Sequence, residues 1–548
     1  MIDPVTLAIL KGRLEQIADE MDATLFRSAF NPIIAEAKDA CHGLYHAETG
    51  ETLVQGTSGL PIFVGAMAFA VKAVISKVAR EGDLREGDTF LFNDPYEGGT
   101  HLNDMRLVRP VFRQGRLFCW MASAGHWLDV GGNVPGSYNP KATESFQEGF
   151  RIPPVRLIRD GVVSQDILDI LAANSRVPTS NWGDLNGQLN ALDLGEKRVA
   201  ALIDEHGEAL VAEAFTAFSA RAEALMRAAI ASLPDGTYSF EDVLDNDGIT
   251  DDPLTIALDL TIAGDGMVLD FSRSSPPAQG PINIARSTTI AGCYVALKHV
   301  FTEVPANAGC LRPITFVVPD GMLLSATAPK PVAGYTETVL RLIGVIFGAL
   351  AKADPARATA APFGTINALS LAGHRADGSR WVMFSFFGGG LGGNPETDGL
   401  NHANNPISTA TIPPVEILEA AYPVMFTQWA LRPDSGGMGQ HRGGLGAVYE
   451  IEALTDASVS LLGERGKVAP FGVHGGGSAA LNRFSWQSDE GEQSPPMVSK
   501  ITDIRLKAGQ RVRLETPGGG GWGEPAARDT AAAERDRRMG YVSKGDVA

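Results

Sequence analysis

The sequence has 548 residues, and 64 Asp and Glu residues against 46 Lys and Arg residues give a formal net charge of −18. This acidic balance argues against nucleic acid or an anionic membrane surface as a partner, because both are bound through basic patches. The four cysteines form no C-x-x-C pair, which excludes a zinc ribbon and a thioredoxin-like motif. Only four scattered cysteines in so long a chain favour a reducing compartment, and the cytoplasm is the expected location.

The N-terminal region, residues 1–160, is predicted to be mixed α/β. Its first residues lack the basic segment and the cleavage site of a signal peptide. Asp3 and Pro4 are typical of a helix start, and apolar residues spaced three to four apart extend that helix to about Phe30. A second helix, predicted over 62–80, is largely apolar and therefore buried, but no apolar run reaches the ~20 residues of a membrane span.

Short strands are predicted between and after these helices. The run 89–92 is expected to be a buried strand that ends at Asn93-Asp94-Pro95. The runs 107–112 and 116–124 flank Gln114-Gly115, which predicts a β-hairpin. A hairpin would bring the residues before its first strand close to the residues at the end of its second strand.

The remaining chain divides by composition into four regions. They are a helical segment at 161–235, a mixed β-rich region at 236–422 with helices near 288–301 and 338–353, a Gly-rich β lobe at 423–530 and a tail at 531–548. The expected fold class is therefore α+β and multi-lobed, with a mixed α/β N-terminal region, a central helical segment and an antiparallel β-rich C-terminal part.

Glycine runs in the second half raise the question of a phosphate-binding loop. The best candidate is 387–393, because bare backbone amides can bind an anion. However, no G-x-x-x-x-G-K-[ST] motif exists, and 463–467 has the wrong spacing. We therefore expect turns and close backbone contacts at these glycines, and no nucleotide-binding residues on this chain.

The densest set of metal-capable side chains lies around the predicted hairpin. His101 and Asp104 are three residues apart in a Gly-led loop, and His126 ends the second strand. Two imidazoles and a carboxylate suit Zn, Mn or Fe better than Ca or Mg, which prefer all-oxygen ligands. The sequence thus predicts a catalytic metal site in the region 1–160, with a chance turn hydrogen bond as the competing interpretation.

Five other residues are weaker candidates. His42 and His46 are possible ligands, although ordinary strand or surface histidines are the favoured interpretation. Asp129 is a candidate for orienting the nearby imidazole, or else a turn former. Glu144 and Glu148 are four residues apart, which fits either an acid/base pair near a site or a charge pair on a helix surface.

Several long motifs resemble the hydantoinase B/5-oxoprolinase family. They are NDPYEGGTHLNDM, AGHWLDVGG, QEGFRIPPV, DILDILAANSRVP followed by GDL, LRPDSGGMGQHRGGLG and TPGGGGWGEP. These motifs follow the family's order from about residue 3 to residue 529, so the resemblance covers nearly the whole chain.

This resemblance implies a subunit of an ATP-dependent enzyme. Such enzymes open cyclic amides (hydantoins, 5-oxoproline, caprolactam) or carboxylate ketones, and ATP is bound by a hydantoinase A-like partner. Similar proteins hold Zn or Mn, which on this sequence implies Asp39, His101, Asp104 and His126 as ligands. The leading interpretation is a cyclic amide hydrolase subunit that acts on an intermediate phosphorylated at the partner. The alternatives are a subunit of a ketone carboxylase and a scaffold that only presents substrate.

Overall fold

The structure is a computed structural model that describes residues 2–357 and 359–543. The described residues form ten α-helices: α1 (Pro4–Ser28), α2 (Pro32–Ala35), α3 (Pro61–Glu81), α4 (Gln165–Ala173), α5 (Pro178–His206), α6 (Glu208–Ala231), α7 (Arg286–Val300), α8 (Tyr335–Ala353), α9 (Val415–Ala421) and α10 (Thr530–Met539). The predicted tail contains most of α10, and its residues 544–548 lie outside the described residues.

The predicted N-terminal helices are confirmed as α1 and α3. The Asp3 side chain accepts hydrogen bonds from the amides of Val5 and Thr6, so it caps α1 as expected. Helix α3 is the one described helix long and apolar enough to cross a membrane, and 44% of that stretch is buried inside the protein. It packs against α7, and a Cβ built on its Gly65 would lie 2.9 Å from the Cα of Ala291.

A seven-stranded antiparallel sheet forms the core of the N-terminal part. Its strands are β1 (Ala40–His46), β2 (Thr52–Gln55), β3 (Thr89–Phe92), β4 (Asp104–Arg113), β5 (Arg116–His126), β6 (Val155–Arg159) and β7 (Val162–Val163), in the order β2-β1-β5-β4-β3-β6-β7. Side chains alternate between its two faces, so Leu107 and Met121 pack with α1 and α5, while Val108 and Trp120 pack with α3. The predicted hairpin is confirmed as β4–β5.

A second sheet supports two buried helices. It contains β8 (Gly236–Leu244), β9 (Leu254–Ala263), β10 (Gly266–Asp270) and β11 (Ile314–Val317), in the order β11-β10-β9-β8. Helix α8 packs on β8, β9 and α7, and each of its residues except Lys352 is buried. The sheet and α7 thus hold α8 as a buried central element beside the N-terminal sheet.

Two further sheets enclose the C-terminal core. One contains β12 (Ala368–His374), β13 (Arg380–Ser385), β16 (Ala457–Leu462) and β19 (Lys500–Leu506), and the other contains β14 (Val424–Leu431), β15 (Ala447–Ala453), β17 (Arg483–Ser488), β18 (Gly491–Gln493) and β20 (Arg511–Glu515). Strand β12 lies before residue 423 and β16 after it, and the two strands pair, so the boundary predicted at residue 423 divides one sheet. The boundary predicted at residue 160 falls within the β6–β7 hairpin. Composition marks changes in residue usage, and it does not report which strands pair.

The glycine runs of this part pack against one another's backbone. A Cβ built on Gly390 would lie 1.8 Å from the carbonyl oxygen of Gly444, and a Cβ on Gly443 would lie 1.8 Å from that of Gly519. No side chain fits such distances, so these positions require glycine for close approach. The contacts agree with the interpretation of these runs as backbone packing.

Candidate functional site

The β4–β5 hairpin brings the three principal candidate residues together. Asp104 is the first residue of β4 and His126 the last residue of β5, and the two are direct cross-strand partners. His101 lies in the loop before β4, just after Gly98 and Gly99. One ligand atom from each of His101, Asp104 and His126 lies within 4.8 Å of the others, and all three residues are buried.

The polar atoms of the cluster face a common centre. The Nε2 of His101 lies 3.0 Å from the Oδ1 of Asp104, at ion-pair distance. The Tyr138 hydroxyl lies 3.5 Å from the Nε2 of His101 and 3.4 Å from the Nε2 of His126. Both imidazoles therefore point their Nε2 toward the phenol.

Asp104 is held in place from behind. Its Oδ2 accepts a hydrogen bond from the Thr100 hydroxyl, which in turn accepts one from the Nη2 of Arg106 at 2.6 Å. The Nη1 of Arg106 donates to the Asp104 carbonyl at 2.8 Å. Burial alone would raise the pKa of Asp104, but the His101 and Arg106 charges and hydrogen bonding from His101 keep that pKa below its ordinary value. Asp104 is therefore an anionic group at neutral pH and a candidate ligand.

Aromatic rings surround the two imidazoles. Tyr335, at the start of α8, stacks on His101 with ring centroids 4.9 Å apart. Phe384, on β13, stacks on both His126 and Tyr138 at 5.1 and 4.7 Å. Tyr138, Tyr335 and Phe384 could not be predicted from the sequence, because they come from three separate segments and no spacing rule connects them to the hairpin.

Asp39 lies beside the cluster without belonging to its three closest residues. It precedes β1, and its carbonyl accepts a hydrogen bond from the His126 amide at 3.1 Å. Its Oδ1 is buried and without a partner in the described part of the chain. Burial and the charge of Asp104 raise the pKa of Asp39 well above its ordinary value. These features leave it as a candidate fourth ligand.

The residues present fit a divalent transition metal. Burial and the His101 charge lower the pKa of His126 to about 3, so its imidazole is neutral, which is the form that binds metals. The buried Oδ1 of Asp39 lacks a partner in residues 2–357 and 359–543, and such an atom is costly to leave unsatisfied. Nitrogen and carboxylate donors together favour Zn or Mn over Ca or Mg.

Asp129 organises a loop, and its predicted role of orienting His126 is not what the structure shows. Its two oxygens accept hydrogen bonds from the amides of Gly131, Gly136 and Arg176 and from the Arg176 guanidinium, at 3.0–3.1 Å. Four donors occupy the carboxylate, and none of its hydrogen bonds within the described residues goes to His126. The turn-forming alternative is therefore the correct one.

Glu144 and Glu148 do not form the predicted acid/base pair. Only one 3-10 turn, Ser145–Gln147, lies between them, so the helical spacing is not realised. Glu144 is exposed, whereas Glu148 is buried and accepts hydrogen bonds from the amides of Val332 and Ala333 at 3.0 and 2.7 Å. Glu148 thereby anchors the segment that leads into α8.

The two weaker histidine candidates, His42 and His46, make hydrogen bonds outside the cluster. His42 is buried on β1 and its Nδ1 lies 2.7 Å from the Oδ1 of Asp22. His46 accepts turn hydrogen bonds from the amides of Glu48 and Thr49. Both agree with the favoured interpretation that these histidines are not ligands.

A cleft of about 820 Å³ opens elsewhere on the molecule, between α1, β2, α6 and α7. None of His101, Asp104 and His126 lines this cleft, and each is at most 2% exposed. The cluster is thus an enclosed site beneath aromatic side chains and is not part of this cleft. An enclosed site excludes bulk water and strengthens electrostatic interactions within it.

Comparisons with known proteins identify relatives that match the chain over nearly its whole length. The β subunit of caprolactamase from Pseudomonas jessenii is 33% identical over 558 residues, covering 99% of this chain and 94% of that protein. The B-type subunit of a putative D-/L-hydantoinase from Pseudomonas sp. (strain NS671) is 28% identical over 557 residues, with coverage of 99% and 94%.

Two solved structures are similar over the whole chain. The crystal structure of ATP-dependent caprolactamase from Pseudomonas jessenii has a TM-score of 0.89 at 32% identity, covering 99% of this chain and 95% of that one. Nucleotide-free acetone carboxylase has a TM-score of 0.90 at 21% identity, covering 99% and 78%, which shows the fold alone. Both confirm the expected α+β fold class. The sequence model described as Hydantoinase B/oxoprolinase matches residues 3–525, and the chain therefore belongs to this family.

Proposed function

We propose that this chain is the metal-containing subunit of an ATP-dependent cyclic amide hydrolase. The observation that carries the proposal is the buried cluster of His101, Asp104 and His126, in a chain 33% identical to the β chain of a caprolactamase along its whole length. Its substrate is a hydantoin, 5-oxoproline or lactam ring. Its cofactor is a divalent metal, Zn or Mn, and its location is cytoplasmic, in keeping with four free, buried cysteines.

The proposed enzyme needs a partner that uses ATP. An unstrained amide resists hydrolysis, and phosphorylation of its oxygen makes the ring carbon electrophilic. After water adds and the ring C–N bond breaks, hydrolysis of the resulting acyl phosphate releases the phosphate. The glycine runs that resemble phosphate loops pack on one another here, so the nucleotide is assigned to a hydantoinase A-like subunit. The caprolactamase and hydantoinase relatives are themselves the β and B-type subunits of their enzymes, which supports such a pairing.

The residues of the cluster have distinct tasks in this reaction. A bound divalent ion would polarise the substrate carbonyl and lower the pKa of water. Asp104 keeps its charge beside His101 and Arg106, and His126 stays neutral, so both are ready as ligands. The rings of Tyr335 and Phe384 fix the imidazole planes and keep bulk water away from an activated intermediate.

A role within a ketone carboxylase is the second candidate function. The observation that favours it is the fold shared with acetone carboxylase, at a TM-score of 0.90. The caprolactamase likeness has the higher sequence identity, 32% against 21%, and extends over more of the neighbour's chain. Cyclic amide hydrolysis is therefore the leading proposal.

The test is to purify the chain with its A-type partner and measure ATP turnover with each substrate class. We expect hydantoin, 5-oxoproline or a lactam to stimulate ATP turnover and to yield the ring-opened product. Turnover stimulated only by a ketone with bicarbonate would overturn the hydrolase proposal in favour of carboxylation.

Two variants of the same complex distinguish catalysis from substrate presentation. His101→Ala should abolish ring opening, whereas His46→Ala, a turn histidine outside the cluster, should retain it. Full activity of the His101→Ala complex would support a scaffold role for this chain.

A further inference from the structure

The hydroxyl of Tyr138 lies in front of both imidazoles of the cluster. It is 3.5 Å from the Nε2 of His101 and 3.4 Å from the Nε2 of His126. Both distances exceed the roughly 2.7–3.2 Å of ordinary hydrogen bonds between nitrogen and oxygen. These are the only hydrogen-bond contacts of the hydroxyl within residues 2–357 and 359–543. The phenol therefore faces two nitrogen atoms without a strong bond to either.

The ring of Tyr138 is packed against three other rings. It stacks on Phe384 with ring centroids 4.7 Å apart, and its centroid lies 5.2 Å from that of His101 and 6.1 Å from that of His126. Tyr138 is only 2% exposed. A side chain packed at the density of a protein interior has little room for another position, so the direction of the hydroxyl is fixed.

The backbone before Tyr138 is held by side-chain hydrogen bonds. The Ser137 hydroxyl donates to the Gly131 carbonyl at 3.0 Å. The Asp129 carboxylate accepts a hydrogen bond from the Gly136 amide, also at 3.0 Å. The turn that Asp129 forms thus fixes the loop from which Tyr138 reaches the cluster. A group positioned in this way before substrate binds needs no rearrangement during the reaction.

Metal binding would leave the hydroxyl of Tyr138 without a partner on the chain. The Nδ1 atoms of both imidazoles have no hydrogen-bond partner in the described part of the chain, whereas both Nε2 atoms face polar oxygens of the cluster. Ion binding on that side uses the Nε2 lone pair of each imidazole, and these nitrogens are the hydroxyl's neighbours. A buried hydroxyl is costly to leave unpaired, so it requires an oxygen supplied with the ligand of the cluster.

We propose that Tyr138 is a catalytic residue whose hydroxyl hydrogen-bonds the water that attacks the activated amide. The inference rests on the proposed function and deepens it, because it names the group that orients the nucleophile. A hydroxyl donates one hydrogen bond and accepts others, so it can direct a lone pair of this water toward the ring carbon. The phenol keeps its own proton, and the covalent step remains the addition of water to the activated amide.

The test compares two substitutions that each remove one buried hydroxyl. Tyr138→Phe keeps the ring that packs on Phe384 and the imidazoles. Tyr294→Phe is the matched control, because Tyr294 is also buried, at 6% exposure, but lies on α7 and lines the separate cleft. Both variants are studied in the full complex with the A-type partner, and circular dichroism checks their folding.

The first readout needs neither ATP nor a cyclic amide. Each complex is loaded with Co²⁺, whose visible absorption reports on its ligands, and is titrated with acetate as a small oxygen-donor probe. Because Tyr138→Phe loses a hydrogen bond to a charged oxygen, we expect it to bind acetate about 10–100-fold more weakly and to keep the native Co²⁺ content. Tyr294→Phe should bind acetate with native affinity.

The second readout is ring opening with the best cyclic amide. We expect Tyr138→Phe to lower kcat by about 10²-fold, because the attacking water is no longer oriented. The KM should change little, since the hydroxyl acts on water and not on the substrate. Tyr294→Phe should keep the native kcat.

A folded Tyr138→Phe complex with native acetate affinity or a native kcat would overturn the inference. Loss of Co²⁺ from the folded variant would also overturn it, because the phenol would then be a metal ligand. If Tyr138→Phe does not fold, the native protein labelled with 3-fluorotyrosine decides. Acetate should then shift a ring fluorine resonance, and no shift among the nine tyrosines would refute the role. A native complex that opens no cyclic amide would instead refute the proposed function, and the acetate titration would still test the Tyr138 contact.

Discussion

Replacing Phe384 with leucine tests whether ring stacking holds the metal cluster in shape. Phe384 lies on β13 opposite Ser370 and is 2% exposed. Its ring stacks within 19° of parallel on His126 and on Tyr138. Leucine keeps most of the buried apolar volume but removes both stacking contacts.

The expected cost follows from these two contacts. An aromatic pair contributes about 0.5–1.5 kcal/mol beyond the area that it buries, so losing two pairs should lower the free energy of unfolding by about 1–3 kcal/mol. The larger effect should be on the metal, because a ligand whose orienting neighbour is removed typically loses about 10–100-fold in metal affinity. Both effects come from one ring, so they should appear together.

The assays are urea unfolding of the purified protein and metal competition with a chelator. Phe386→Leu is the matched control, since Phe386 is a buried core residue two positions away. It should lose stability but keep native metal affinity. Equal metal affinity in the two variants would refute the reasoning that Phe384 orients His126.

Two further predictions concern stability. Glu148 and Glu337 have pKa values of about 8 in the folded protein against 4.5 ordinarily, so the unfolded chain binds fewer protons between these values. The free energy of unfolding should therefore fall as pH rises from 5 to 8, by up to about 1.4 kcal/mol per pH unit for each group. Denaturant titrations at several pH values should show a smaller fall for Glu148→Gln than for the native protein. An equal fall in the two proteins would contradict this. Gly390→Ala should destabilise the protein by about 3 kcal/mol or more, because its Cβ would lie 1.8 Å from the Gly444 carbonyl oxygen. Gly12→Ala, at an exposed position of helix α1, should instead stabilise the protein by up to about 1 kcal/mol. Equal melting temperatures for these two variants would contradict the close backbone packing.

Much of the site's framework was predictable because it is local in sequence. The spacing of apolar residues gives α1 and α3, and the turn at Gln114-Gly115 gives the hairpin. The hairpin register then makes Asp104 and His126 neighbours. Local periodicity and turn chemistry are the signals that a single sequence carries most clearly.

The surroundings of the cluster were not predictable in the same way. Tyr335 and Phe384 approach it through α8 and β13, elements far along the chain whose docking depends on tertiary packing. The same cause explains the errors at Glu144 and Glu148, where an apparent helical spacing proved to be one 3-10 turn. Spacing alone does not reveal which backbone amides a buried carboxylate will meet.

The central claim is that His101, Asp104 and His126 bind one metal ion. The most direct test is the metal content of the purified native complex and of its His101→Ala variant, each measured by inductively coupled plasma mass spectrometry alongside a circular dichroism check of folding. We expect about one Zn or Mn per chain in the native protein and its loss in the folded variant. A folded His101→Ala protein that keeps the native metal content would contradict it.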